Sequence, residues 1–252
     1  MGHTGTLDPF ASGLLVILVG RATRLAQFLV GLTKAYRGVI TLGTTTNTDD
    51  PTGTVTGTSA IWQDFTRDDV EHAMSGFLGL QQQRPPAFSA KKLGGQRAYR
   101  LARRGEEPDI PMQDVEVSSF ALTDLRGEHV TFESLVSSGT YVRSLARDLG
   151  ERLGCGAHLS QLRRTAVGPF TIDDALPVDA VSAEQVRSPR HAVAHLHAVP
   201  VGLDERESVR HGRAIATSCD VAGHVALIDG DELIAIAEAD GDRLQPRVVL
   251  AE

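Results

Sequence analysis

The order of its hydrophobic periods constrains this chain most. Tyr36 to Leu42 alternates with period two, and so do Val115 to Leu125 and His129 to Val136 on either side of a short polar break. No helix-length segment separates the last two, so they are expected to pair antiparallel. Helical periods occur elsewhere: over Ala22 to Leu32, in a segment that Thr66 begins with Asp69 as a capping-box variant, and in one that Thr140 caps and Gly154 closes after Leu153. They do not recur with the regular spacing of strand–helix–strand units. The reading is α+β, with a mixed, mostly antiparallel sheet flanked by helices. The apolar stretch Ala11 to Gly20 has the look of a secretion signal, but Asp8 rather than a basic residue precedes it, and it is too short to span a bilayer. Leu14 to Val19 is therefore read as a buried strand, and Asn47 to Gly53 as a turn.

A chain of 252 residues with 41% hydrophobic side chains can bury a sizeable core, which excludes disordered, collagen-like and coiled-coil classes. Beyond Pro177 the pattern loosens, and short strand candidates then gather around Asp229–Gly230 and Asp240–Gly241 turns. The expected organisation is a main domain over 1–178, a linker over 179–200 and a small β domain over 201–252. Two cysteines, Cys155 and Cys219, are too few for a disulfide framework or a structural zinc site and suit the reducing cytoplasm. The net charge of −7 argues against a uniformly cationic nucleic-acid coat. Charge is nevertheless concentrated: Arg84, Lys91, Lys92, Arg97, Arg100, Arg103 and Arg104 fall within 21 residues that contain no acid. Solvated faces normally mix signs, so this stretch reads as an anion-facing arm, with a short helix from Gln96 to Arg104.

Three short segments could carry chemistry. Asp8 precedes Pro9, which forces an extended or turn backbone, and two upstream glycines permit close approach to another group. No Gly-Lys-Ser/Thr follows, so this is not a nucleotide P-loop. Tyr141 and Arg143 fall in the first turn of the helix attributed to Thr140. An arginine there opposes the helix dipole, so Arg143 is expected to face a carboxylate or an anionic ligand. Arg163 and Arg164 form a further basic pair. His191, His195 and His197 lack carboxylate or cysteine partners at ligand spacing, and Asp49–Asp50 suits a turn better than a divalent cation; no metal is expected.

Six segments in order, GHTGTLDPFASGLL, KAYRGVITLG, TNTDDPTG, PPAFSAKKLGGQRAYRLARRG, SSGTYVRSLARDLG and LRRTAVGPF, closely resemble the bacterial tRNA pseudouridine-55 synthases, the TruB family. The resemblance covers residues 1 to about 175 closely, and the tail looks like the family's small RNA-binding domain of the PUA type. It implies a uridine-to-pseudouridine isomerase acting on the T loop of tRNA, cytoplasmic and monomeric, with no cofactor, metal, membrane association or obligatory protein partner. It makes Asp8 the catalytic carboxylate, paired with Arg143, which would lower its pKa. His3 would fill the space left by the flipped base, Tyr36 would pack on that base, and Tyr141 and Leu162 would line its pocket. Arg84, Lys91, Lys92, Arg97, Arg100, Arg103, Arg104, Arg163 and Arg164 would hold phosphates. A tRNA-binding or tRNA-folding module and a guide-RNA-dependent synthase are the alternatives. Family members carry some three dozen or more residues ahead of Gly-His, where this chain has only Met1. The expected reason is a misassigned start, because the family often has valine there and a GTG codon can initiate.

Overall fold

The computed structural model describes residues 1–89, 91–93, 96–97, 104, 110–217 and 221–250, and it divides into two compact units. The larger comprises Leu7–Leu14 and Leu32–Ile172. Its centre is a seven-stranded sheet made of β1 (Ser12–Gly13), β2 (Lys34–Leu42), β3 (Gly79–Gln83), β4 (Gln113–Arg126), β5 (His129–Val136), β6 (Ala157–Val167) and β7 (Phe170–Thr171). The order is β7-β6-β2-β5-β4-β3, with β1 added to β6 as the one parallel pairing. The α+β reading holds, and β4 and β5 pair antiparallel over the two segments whose alternation implied it.

Helices α1 (Arg67–Ser75) and α2 (Val142–Arg152) contribute to the core on this sheet. Val70, Ala73 and Met74 of α1 and Leu145, Ala146 and Leu149 of α2 meet Ile40, Val117, Phe120 and Phe132 there. Thr66 caps α1 with the full reciprocal box: its hydroxyl accepts from the Asp69 amide, and the Asp69 carboxylate accepts from the Thr66 amide. The start of α2 corrects the sequence reading. Its N-cap is Tyr141, not Thr140, and the side chain that serves it comes from a distant strand: Gln83 accepts from the Tyr141 amide at 2.8 Å and donates to the Tyr141 carbonyl at 3.1 Å. Thr140 instead faces the Ser137 hydroxyl. The other end is as expected, with Gly154 in the left-handed region just past the C-cap.

The second unit gathers Met1–Thr6, Leu15–Gly31 and Asp173–Glu252. Here β8 (His197–Pro200), β9 (Ile215–Ala216), β10 (Gly223–Asp229), β11 (Glu232–Asp240) and β12 (Arg243–Val249) form a sheet in the order β8-β10-β11-β12-β9. Both faces are covered, which explains the nearly unbroken apolar run in β11. Leu227 and Ile234 pack with Val209 of α3 (Leu203–Arg210), while Ala226, Leu233 and Ile236 pack with Leu25 and Val193. The segment expected as a linker over 179–200 therefore ends in a sheet strand, because His197–Pro200 pairs parallel with β10.

Leu14 to Val19 is not a buried strand. Only Ile17–Leu18 is extended, paired with Gly2–His3; Leu14 and Leu18 are buried, whereas Leu15, Ile17 and Val19 are exposed. The expected helix over Ala22 to Leu32 is a 3-10 turn, Gly20–Leu25, followed by one short helix, Ala26–Val30. Nor does a helix begin at Gln96: Gln96–Arg97 pairs antiparallel with Lys92–Leu93. Arg100 and Arg103 lie outside the described residues.

Candidate active site

The loop that carries Asp8 is built by glycine and a strand edge. The Asp8 backbone carbonyl accepts from the Ala11 amide across the Pro9–Phe10 turn at 2.9 Å, and Phe10 and Ala11 pack on the core. Ser12–Gly13 then joins β6 opposite Arg163 and Arg164. Gly13 has φ +105°, and a Cβ there would sit 2.2 Å from the Arg164 carbonyl oxygen, so no other residue fits the approach. Leu14 closes the loop by donating its amide to that same carbonyl at 2.8 Å.

Arg143, the second residue of α2, reaches the Asp8 carboxylate in a two-point contact: Nε to Oδ2 at 3.0 Å and Nη2 to Oδ1 at 2.9 Å. The partner required by its position in the first helical turn is thus a carboxylate far away in sequence. Arg143 also donates to the carbonyls of Thr48 and Phe88, and its Nη1 lies 3.3 Å from Oδ2 of Asp50. The guanidinium is thereby held between two carboxylates of different character. Its own side chain is 5% exposed and that of Asp50 6%, but that of Asp8 is 31% exposed. Only the Asp8 carboxylate of the three can meet a ligand from solvent.

Asp50, which the sequence reading set aside as part of a turn, also belongs to this cluster. Its Oδ1 accepts from the Thr48 hydroxyl at 2.8 Å and the Thr52 amide at 2.9 Å, which organises the Asn47–Gly53 turn, while Oδ2 faces Arg143. Arg147, one turn after Arg143, was also missed. It pairs with Asp49 at 3.2 Å and donates to the Arg84 carbonyl at 3.0 Å, joining the turn, the segment after β3 and the helix. The i,i+4 spacing of two arginines on a helix with Asp49–Asp50 nearby in composition was the available signal. Burial raises the Asp49 carboxyl above its ordinary range, against the opposing pull of Arg147 and Arg143.

Tyr36 and Leu162 lie on adjacent strands and are buried, with Arg164 directly across from Tyr36 and Gly38 across from Leu162. Burial raises the phenols of Tyr36 and Tyr141, and the Asp8 charge acts on both in the same direction. Asp8 therefore lies within electrostatic reach of Arg143, Tyr36 and Tyr141, on elements separated from it in sequence. His3 is exposed in the second unit, on its two-residue strand.

Of the arginines and lysines expected to hold phosphates, Arg84, Arg104 and Arg163 are exposed. Lys91 donates to Gln113 at 3.0 Å. Arg164 corrects the sequence reading: it is 1% exposed and donates to the Leu14 carbonyl at 2.8 Å, so it cannot reach a phosphate. Successive strand residues point to opposite faces, and the two adjacent arginines part company for that reason. Among the described residues no cluster of three or more metal-ligating side chains occurs, and no helix is long and apolar enough to cross a membrane.

This architecture is shared with solved structures. A crystal structure of a Cbf5–Nop10–Gar1 complex aligns with a TM-score of 0.74 and 26% identity, covering 98% of this chain and 75% of that one. An H/ACA RNP bound to a substrate RNA containing 2′-deoxyuridine aligns with a TM-score of 0.75, covering 100% and 76%, at 24% identity, which speaks to fold alone. The fold is thus the one those RNA-linked assemblies contain.

At the level of sequence, residues 1–142 match the TruB family pseudouridylate synthase N-terminal domain, and residues 143–199 match the tRNA pseudouridylate synthase B C-terminal domain. The tRNA pseudouridine synthase B of Geobacter sulfurreducens is 42% identical over 219 residues, 84% of this chain and 72% of the relative. That of a Mycobacterium species (strain KMS) is 40% identical over an aligned length of 257, covering 99% and 86%. The chain belongs to the TruB family of pseudouridylate synthases.

Proposed function

We propose that this protein isomerises uridine to pseudouridine in tRNA, at position 55 of the T loop. The observation that carries the reading is the asymmetric ion pair: a buried guanidinium grips, at two points, a carboxylate that is itself open to solvent. The reaction breaks the N1–C1′ bond, rotates the freed uracil, joins C5 to C1′, and moves the proton from C5 to N1. No electrons are exchanged. It therefore calls for an ionised carboxylate near the ribose and a pocket that holds the detached base.

Asp8 supplies the carboxylate as nucleophile or base, and Arg143 holds it aimed through two charge-assisted hydrogen bonds. The Tyr36 ring and Leu162 form the walls against which a flipped base packs, with Tyr141 beside them, and His3 takes the space the base leaves in the RNA. Arg84, Lys91, Lys92, Arg97, Arg100, Arg103, Arg104 and Arg163 hold the backbone, which makes binding fall with salt. The enzyme works in the cytoplasm as a monomer without a protein partner or cofactor, with Asp8, Tyr36, Tyr141, Arg143 and Leu162 all in the larger unit and the sheet from His197 to Val249 serving as a PUA-like module. The test is Asp8→Asn assayed with unmodified tRNA. The variant should fold and bind tRNA yet form no pseudouridine, and sustained turnover would remove Asp8 from the reaction.

A further inference from the structure

Arg164 is a fully buried arginine that the proposed chemistry does not use. Burying a guanidinium is costly unless its donors are well met, and here a second cation, Lys34, is buried on the same strand face as Tyr36. Burial, with the Arg164 charge adding to it, pushes the Lys34 amine down to about 8. Two buried cations side by side are a poor choice for stability alone, which directs attention to what Arg164 holds.

It holds two parts of the site. Nε donates to the Leu14 carbonyl, at the exit of the Asp8 loop, while the Arg164 backbone carbonyl accepts the Leu14 amide. The side chain also lies on the same sheet face as the Tyr36 phenol, its direct cross-strand partner in the β2–β6 register, and its charge opposes the rise that burial imposes on that phenol. An arginine has donors only, so in a hydrogen bond between the two the phenol oxygen accepts. That leaves the phenol's own proton available as a donor, on a group that the Asp8 charge also acts upon.

We propose that Arg164 is a positioning residue for Tyr36: it anchors the phenol by its oxygen, turns the O–H into the pocket as a donor, and through Leu14 keeps the Asp8 loop in register with that donor. This rests on the reading of Asp8 and Tyr36 as the site for uridine isomerisation. Lysine at 164 would keep the charge but lose the planar fork that serves Leu14 and Tyr36 together.

The test is a double-mutant cycle on the single-turnover rate of pseudouridine formation. Arg164→Lys should slow the wild-type background by about 30-fold with tRNA affinity unchanged, and the Tyr36→Phe background by less than about threefold. Equal losses in both backgrounds, or no loss in the wild type, would overturn the proposal. Where Arg164→Lys fails to fold or Tyr36→Phe is too slow to assay, NMR of the Arg164 guanidinium decides. Tyr36→Phe, which keeps the ring, should shift those N–H signals and speed their exchange with water, and unchanged signals would overturn it. If the unaltered protein makes no pseudouridine, the functional reading fails, yet the NMR comparison still reports on the Arg164–Tyr36 bond.

Discussion

A guanidinium offers five N–H groups, and Arg143 has a partner for each: two oxygens of Asp8, the carbonyls of Thr48 and Phe88, and Asp50. Lysine cannot reproduce that fork. Arg143→Lys should lower kcat by about 100-fold or more while changing KM little, because what is lost is the aim of the carboxylate rather than RNA contact. Arg143→Met should also cost about 3–5 kcal/mol in urea unfolding, since it leaves Asp50 buried without its cation. A loss of tRNA affinity alone would reduce Arg143 to a phosphate contact. Lys34 gives a pH signature. Its amine titrates near 8 in the folded chain against an ordinary 10.5, so between those values the unfolded chain binds more protons and stability rises with pH. Below pH 8 the ammonium is charged in both states and its burial is a standing cost. Relative to Lys34→Met, the parent should gain about 1–2 kcal/mol between pH 8 and 10, allowing for the solvent that still reaches the amine. A parallel pair of stability curves would contradict this.

At the scale of elements, local chemistry was readable wherever it closes on itself. Thr66 and Asp69 satisfy each other within one turn, so their box was visible in the sequence and is present in the fold. The cap of α2 was misplaced because its partner, Gln83, is far away in sequence. The Leu14 to Val19 run failed as a strand because burial there is set by what covers each residue, not by the run itself. The Asp8 loop depends on one backbone approach, and Gly13 is where it is tested. Gly13→Ala should cost more than about 2 kcal/mol and abolish most activity, since both a left-handed φ and a clash with the Arg164 carbonyl oppose it. Gly20→Ala, with φ +59° and nothing within 4 Å, should cost only about 1 kcal/mol. Similar losses at the two positions in thermal unfolding would show that the contact is immaterial.

For the whole molecule, the two compact units do not follow the chain in sequence. Residues 15–31 group with 173–252, and Leu25 is fully buried among Val193, Ile236 and Val248. A fragment ending at 178 would expose that apolar surface. It should bind a hydrophobic dye more strongly than the full chain and self-associate in sedimentation. A monomeric fragment with the parent's cooperative melting would show that residues 15–31 need no such cover.

The sequence by itself determined what is local or additive: the strand periods, the capping box, the turn chemistry of Asn47 to Gly53, and the presence of Asp8, Tyr36 and Arg143 in segments like those of a known family. Only the tertiary structure decided which of two adjacent arginines faces solvent, that Asp50 backs Arg143, and that Leu25 is covered by the tail. The reason is physical. Period and composition fix the alternation of a strand, but which face becomes the interior depends on partners brought in from far along the chain, and so does every buried charge that needs one.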